Sequence, residues 1–526
     1  MPVANDAEVL RRGVAGHFAR VRVSPIAKLW DGSVVRERET KLLVDPAVSL
    51  PPVDELLAGC GSWTTEVVTL TAVYFDTPDL RLTRSGVSLR FRSDDGWTVK
   101  LPEAGGDDEF VRTEHAFGNE SGDPPDSARE MVSPWARSEP LAEVARVETR
   151  RDKTRILAGD GRLVCEIDDD EVHGFVDGAT PVHFREIEVE TPEDGDAAVS
   201  RRVVKRLRTS GAGTSPGLPK IVRVLGESGA APRDLAPAPH LDRHSTTTDL
   251  VRASISTAVQ SLIQHDALVR DGEDPEGVHR ARVATRRLRS HLHAFRRLVD
   301  EEWSESLCVE LQWLGAQLGH VRDADVLLGR LETRGEELWE GLRPASRVLT
   351  DRLRAMRDRD RAALLDAMHS PRYIALLDDL IDAAQSPPMR DPHADALAKD
   401  VVHRLTRRPS KRLRATVKAL PRSPSDAELH VVRQRAKRTR YAYEAVAPII
   451  GKTADRTTNR LSKLQGLLGD HHDATVAIEW LHSAAIDEPD AEVAFVAGAI
   501  AQAFADDQQR VRDSWKAAWR RVKNEI

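Results

Sequence analysis

The stretch "HFREIEVE", residues 183–190, places Glu186, Glu188 and Glu190 on alternate positions with Ile187 and Val189 between them. In an extended strand successive side chains point to opposite faces, so one face would carry carboxylates and the other would be apolar. The same parity recurs elsewhere. Glu37, Glu39 and Lys41 share one face of their segment, as do Arg90 with Arg92, Arg112 with Glu114, Lys153 with Arg155, and Glu166 with Asp168 and Asp170. Lys100 sits in the short alternating run "WTVKL". Exposed strands usually keep their acids in water, but a solvated face mixes Lys, Glu, Thr, Ser and Gln and does not sort them segment by segment. If the charged faces close on each other, they enclose a tunnel whose acids can hold divalent cations and whose Arg and Lys can hold several phosphates.

A second constellation is helical. At 100° per residue, His279, Arg282, Arg286, Arg289 and His293 fall in one stripe, while Leu288, Leu292, Phe295 and Val299 lie on the opposite side. His430, Arg433, Lys437 and Arg440 repeat the pattern 151 residues later. Neither stretch contains an Asp or Glu until Glu444, whereas solvated helix faces interleave acids for i,i+4 pairing. An unneutralised stripe is a candidate polyanion site. Each copy is followed by a Leu-Gly-x-x-x-Asp-Ala string, "LGHVRDADV" from Leu318 and "LGDHHDATV" from Leu468, so the region reads as a duplicated bundle with pseudo-twofold halves. A metal reading of the histidines is poorer, because His471 and His472 are adjacent and His279 and His293 are far apart along one helix. No aromatic platform is interleaved with the stripes, which argues against a nucleic-acid partner.

These residues need elements to hold them. From about 34 to 226, short alternating segments such as "VVRERETKLLV", "VVTLTAVYFDT", "GVSLRFRS", "KTRILA" and "LVCEIDDDEV" are separated by Gly, Pro and Asp, which predicts an antiparallel sheet or barrel. "PEAGGDD" and "GNESGDPPDSAREMVSP" read as mobile loops, and "GESGAAPRDLAPAPHLDRHSTTTD" as a linker. Beyond it the patterns are helical. The expected division is an N-terminal extension at 1–33, a β tunnel at 34–226, a linker at 227–245 and a helical domain at 246–526, an α+β multidomain chain. Its 526 residues carry a net charge of −7, so a polyanion must be met by local basic patches. No apolar run approaches a membrane span and the N-terminus lacks the apolar core of a secretory signal, so a cytoplasmic protein without a membrane partner is expected. Cys60, Cys165 and Cys308 form neither a disulfide framework nor a zinc spacing.

The Glu37-x-Glu39-x-Lys41 signature, followed in order by "YFDTPDLRLTRSGVSLRFR", "WTVKLP" and "REIEVE", resembles the CYTH domain, the triphosphate tunnel family that includes class IV adenylyl cyclases and thiamine triphosphatases. The resemblance implies an eight-stranded antiparallel tunnel, a divalent metal, usually Mg2+ or Mn2+, and substrates carrying a triphosphate. Position by position, Glu37 and Glu39 match the family's first metal-binding pair and Glu186 and Glu188 its late glutamates, while Asp168 and Asp170 both fit the aspartate that precedes them. Lys41, Arg90, Arg92, Lys100, Arg112 and Arg155 match phosphate-contacting positions, with Lys41 assigned the catalytic role. Two departures stand out: about thirty residues precede the signature, and "SPGLPKIVRVLG" keeps Lys220 without the Ser-Lys-Tyr run of the family.

The half from about 246 to 526 resembles CHAD, the conserved histidine α-helical domain, in its duplication, its His-x-x-Arg helices and its Leu-Gly-x-x-x-Asp-Ala strings. That implies inorganic polyphosphate bound along a basic channel between two four-helix halves. The combined expectation is metal-dependent hydrolysis of inorganic triphosphate or short polyphosphate, with polyphosphate held by the helical domain in the cytoplasm and at polyphosphate granules. The alternative is a non-catalytic polyphosphate-binding or granule-targeting scaffold.

Overall fold

The structure is a computed structural model and describes residues 38–526 apart from 58, 103–111, 193–194, 216, 391–393 and 487. Glu37 therefore lies outside the described residues, as does the side chain of Arg112. The first domain is built on β1 (Arg38–Val44), β2 (Ser62–Asp76), β3 (Ser88–Arg92), β4 (Gly96–Pro102), β5 (Arg112–Ala116), β6 (Ala142–Leu157), β7 (Leu163–Phe175), β8 (Val182–Thr191) and β9 (Gly213–Thr214). All pair antiparallel in one sheet of order β5-β4-β3-β2-β6-β7-β8-β1-β9. The count is nine and not eight because the two-residue β9 adds to the edge of β1. β6 is 16 residues long, although only "KTRILA" at its end reads as a strand in the sequence.

Five short helices accompany the sheet: α1 (Val53–Leu56), α2 (Arg81–Arg84), α3 (Asp126–Ala136), α4 (Ala197–Thr209) and α5 (Lys220–Ala230). α4 covers the outer face. Its Val199, Val203 and Leu207 join Leu42, Ile167, Ile187 and Val189 in one core cluster, and burial of that apolar set orients the alternate residues Glu166, Asp168, Glu186, Glu188 and Glu190 to the other side. Its start is fixed by Asp196, whose carboxylate accepts from Ala198 N at 2.7 Å. α5 enters the inner face, where Ile221, Val222 and Val224 pack on Ala72, Tyr74, Ala145, Val147, Val172 and Phe184. One end of the sheet's concave face is therefore apolar and filled, and the charged part begins at Lys220, the first residue of α5.

The helical part comprises α6 (Thr247–Asp271), α7 (Pro275–Phe295), α8 (Glu301–Glu336), α9 (Arg343–His369), α10 (Pro371–Gln385), α11 (Ala398–Lys418), α12 (Asp426–Ile450), α13 (Lys452–Ile486) and α14 (Ala491–Lys523). Consecutive helices pack together through α6–α9 and again through α11–α14, with α10 as an addition to the first set. The halves meet at α7 against α12 and at α9 against α14. Capping boxes, Thr246 with Asp249 and Ser425 with Glu428, start α6 and α12. Leu288, Leu292 and Phe295 of α7 are fully buried, and Val299 is buried just beyond the helix end.

The two parts share a core. Trp97, Val99, Met131 and Val132 of the sheet domain fall in the same buried cluster as Leu250, Val251 and Ile255 of α6. The stretch containing Met131 and Val132 reads as a mobile loop in the sequence, but burial of this apolar face makes it α3. Arg137, whose φ is +54°, ties the junction by pairing with Asp234 and, at 2.6 Å, with Asp378 of α10. His369 lies 3.3 Å from Glu130 across the same boundary.

Candidate functional site: a charged tunnel and a basic groove

The ladder register converts strand parity into rows of charge. On the concave face Arg155, Glu166, Glu190 and Glu39 form one row across β6, β7, β8 and β1, and Lys153, Asp168, Glu188 and Lys41 form the next. A third row carries Arg151, Asp170 and Glu186. Three pairs of carboxylates thus stand directly opposite each other on β7 and β8, an arrangement that destabilises a sheet unless cations intervene. They do intervene. Lys220 Nζ stands 2.9 Å from Asp170, 3.0 Å from Glu186 and 2.9 Å from Glu188, and Arg151 donates to Asp170 at 2.8 Å and to Glu188 at 3.1 Å. Lys41 pairs with Glu188 and lies 3.4 Å from Glu39. Arg223 of α5 adds a 2.7 Å contact to Glu186.

These rows and the opposite wall enclose a cavity of about 430 Å3, lined by residues from β1 to β8 and the start of α5. The opposite wall carries Arg90 and Arg92 of β3 and Lys100 of β4, partly balanced by Asp95, 2.6 Å from Arg92 and 3.4 Å from Arg90, and by Glu114 of β5, 2.7 Å from Lys100 and 3.4 Å from Arg90. Burial works against the Glu188 carboxylate, but Lys220, Lys41 and Arg151 around it prevail and hold its pKa well below the ordinary range. For Lys41 burial is the largest influence and lowers the pKa, but Glu188, Glu39 and Glu186 together outweigh it and the net shift is upward. Asp168 behaves differently. Burial, reinforced by Glu166 and Asp170, pushes it up to about 6 despite the pull of Arg151 and Lys153.

The donor set suits a hard divalent cation. Glu39, Glu188 and Glu190 bring one carboxylate oxygen each within 4.8 Å of one another, and so do Glu166, Asp168 and Glu190. Both Asp168 oxygens are buried and accept no hydrogen bond among the described residues, although Arg151 pairs with the carboxylate. Oxygen-only ligands of this kind fit Mg2+ or Mn2+, so the carboxylates present match the metal that the family resemblance implies.

Asp170 and Glu186 are fully buried and paired with Lys220, Arg151 and Arg223, outside the two groups whose oxygens lie within 4.8 Å of one another. Those groups include Glu190 and Glu166, whose parity in "EIEVE" and "CEIDDD" puts them on the same faces. Arg155 does not line the cavity. Its side chain is 46% exposed and pairs with Glu166 at 2.9 Å, so it holds an acid at the rim. Arg151, two turns of the pleat inward, occupies the central position and was invisible to a reading that began the strand at Lys153.

In the helical domain the stripe is met by an acid from the next helix in one half and by one from the end of the same helix in the other. Arg282 pairs with Asp323 of α8 at 2.6 Å, and Arg440 with Glu444 at 3.0 Å. The glycines of the repeated strings lie beside matched arginines of the stripes, Gly319 next to Arg282 and Gly469 next to Arg433, where an added Cβ would make ordinary contact at 3.6 Å. His430 lies against His472, ring centroids 4.3 Å apart. Arg286 and Lys437 in the middle of the two stripes have no carboxylate within ion-pair distance among the described residues. Together with Arg289 and His293 they open onto a cavity of about 900 Å3 between α7, α8, α11 and α12. Among the described residues ten arginines and Lys437 line it, and no carboxylate does. Arg404, Arg408 and Arg412 of α11, missed in the sequence reading, supply a third side at i,i+4 spacing. Burial, then Arg286, Arg433, Arg282 and Arg440, pull the Lys437 pKa from 10.5 down to about 6. Burial and cationic neighbours also lower His279, His293 and His430, and bring His472 to about 4.

Comparison with known proteins agrees with this division. Residues 36–212 match the CYTH domain family and residues 253–482 the CHAD domain family. An uncharacterized protein of Mycobacterium tuberculosis, found in two strains, is 31% identical over 483 residues, spanning 87% of this chain and 90% of the relative. The chain belongs to the CYTH-CHAD family. Among solved structures, PptA from Streptomyces chartreusis is 25% identical, with 52% of this chain and 100% of that one covered and a TM-score of 0.45. The CHAD domain from the plant Ricinus communis is 26% identical, covering 54% and 97% at a TM-score of 0.44. HpAC1 from Hippeastrum, named as an adenylyl cyclase and described by a dominant triphosphatase activity, is 18% identical over 36% of this chain and 95% of that one, with a TM-score of 0.22. No helix of the described residues is long and apolar enough to cross a membrane.

Proposed function

We propose that the tunnel binds inorganic triphosphate or short polyphosphate and hydrolyses a phosphoanhydride bond with Mg2+ or Mn2+, while the basic groove of the helical domain holds polyphosphate. The observation that carries this reading is the division of the tunnel walls, with paired carboxylates on β7, β8 and β1 facing Arg90, Arg92 and Lys100 on β3 and β4. Phosphoryl transfer demands charge neutralisation and positioning more than covalent chemistry from the protein. Glu39, Glu188 and Glu190, with Glu166 and Asp168 adjoining, would hold the metal. When bound, the ion supplies an oriented or activated water and neutralises phosphate charge. The basic wall holds the remaining phosphates. Lys41 stays charged, because Glu188 keeps its pKa raised, so its part is that of a fixed cation that aligns Glu39 and Glu188 and not that of a proton carrier.

One observation favours a tunnel that binds without cleaving: Lys220 and Arg151 already neutralise part of the acid set that a metal would otherwise share. Tripolyphosphate and ATP offered to the full chain with Mn2+ separate the two readings. The hydrolytic reading expects orthophosphate released from tripolyphosphate faster than from ATP and no cyclic nucleotide. Saturable binding with intact tripolyphosphate would select the scaffold.

A further inference from the structure

We infer that the outer wall of the tunnel carries a separate cation site of transition-metal type, formed by Glu171, His173 and His183. β7 and β8 present Asp168, Asp170, Glu186 and Glu188 to the inside, so the alternate positions Glu171, His173 and His183 face outward. His173 and His183 are direct cross-strand partners, and their rings stack with centroids 4.4 Å apart and 15° between planes. Glu171 Oε1 lies 3.3 Å from His183 Nε2 and 4.0 Å from His173 Nε2. One ligand atom from each of the three lies within 4.8 Å of the others. Around a tetrahedral zinc ion with bonds of about 2.0–2.1 Å, ligand atoms stand roughly 3.3 Å apart, so small side-chain rotations close this triad on an ion.

The neighbours leave the triad free to do this. Across the ladder Glu171 faces Arg150 of β6 and Arg185 of β8. Arg150 is paired with Asp152 at 2.9 Å and Arg185 with Asp169 at 2.6 Å, so the close partners of the Glu171 carboxylate among the described residues are the two imidazoles. Glu148 of β6 stands opposite His173 and extends the same row with another carboxylate. Two imidazoles and a carboxylate select Zn2+, Co2+, Ni2+ or Cu2+, whereas the all-oxygen groups inside the tunnel suit Mg2+ or Mn2+. The side chains of Glu171, His173 and His183 are 41–48% exposed, so an ion enters from solvent and keeps positions open for water or another oxygen donor.

Tag-free full-length protein in excess Mg2+, which occupies the oxygen sites, is titrated with Co2+ and followed by visible absorption. The expected result is one Co2+ equivalent with the strong absorption of a low-coordinate nitrogen-ligated site, displaced by Zn2+. That equivalent should be lost in His183→Ala and in His173→Gln, both with unchanged circular dichroism, and kept in Glu39→Gln. Co2+ binding that is absent, or unchanged in the two histidine variants, overturns the proposal. So does binding that Glu39→Gln removes, because the ion would then sit in the tunnel.

Discussion

Lys437 shows most directly what the basic groove lacks. With its pKa at about 6, the buried amine is largely neutral at neutral pH until an anion arrives. A bound polyphosphate chain would restore the proton, so affinity is predicted to be level below about pH 6 and to fall as pH rises above it, with proton uptake accompanying binding near neutrality. Calorimetry in buffers of different ionisation heat measures that uptake; its absence, or equal uptake in Lys437→Gln, contradicts the assignment. The folding sign is the opposite of a salt-bridged lysine. Between about 6 and 10.5 the unfolded chain binds the extra proton, so without ligand this group costs stability at neutral pH and the cost fades as pH rises. His279 and His430 head the two stripes. Their pKa values are lowered first by burial, then for His279 by Arg322 of α8 with Arg286 and Arg280 of its own helix, and for His430 by Arg433 and Lys437 of its own stripe. Glu186 and Glu188 were legible because parity and the apolar Ile187 and Val189 left them one direction to face. Which acids meet a cation in the cavity depends on Lys220, which follows α4 in the chain, so the pairing of Asp170 and Glu186 with it is not legible from strand parity.

At the scale of elements, the repeat was readable and its asymmetry was not. α7 and α12 carry the matched stripes, but α11 brings Arg404, Arg408 and Arg412 to one side of the groove only, and the polyanion site is richer there. Replacing these three with glutamine should weaken retention of long polyphosphate by about tenfold or more and flatten its salt dependence, since each lost phosphate contact releases fewer counterions. Tripolyphosphate turnover should be unchanged. Filter retention across a salt series measures the first and phosphate release the second; equal retention by parent and variant would remove α11 from the site. α3 illustrates the opposite difficulty. Its Gly, Pro and acidic flanks spell a loop, and only packing of Met131 and Val132 against α6, a tertiary fact, makes it a helix. β6 was cut short for a related reason: "AEVARVETRR" is highly charged, and its partners β2 and β7, not its own composition, extend it.

Over the whole molecule, the tunnel and the helical bundle are not beads on a linker. The expected linker at 227–245 is itself anchored, with Ala236 O accepting from Ser256 Oγ at 3.2 Å and from Gln260 at 3.1 Å, and α5 runs to Ala230 within it. A core shared between Trp97, Met131 and Leu250 predicts that both parts unfold in one cooperative transition by tryptophan fluorescence and circular dichroism. Two separated transitions would show that the junction contributes little. It also means that the polyphosphate experiments belong to the full chain, because cutting at the linker exposes that core. The central claim is that the carboxylates of β1 and β8 hold a metal that the tunnel needs for hydrolysis, and Mn2+-dependent orthophosphate release from tripolyphosphate by the parent, Glu39→Gln and Glu190→Gln tests it most directly. The account predicts turnover that a chelator abolishes and that falls by at least about a hundredfold in each variant, since each loses a charged ligand of the groups that share Glu190. Metal-independent release, or parent-like turnover in both variants, would contradict it.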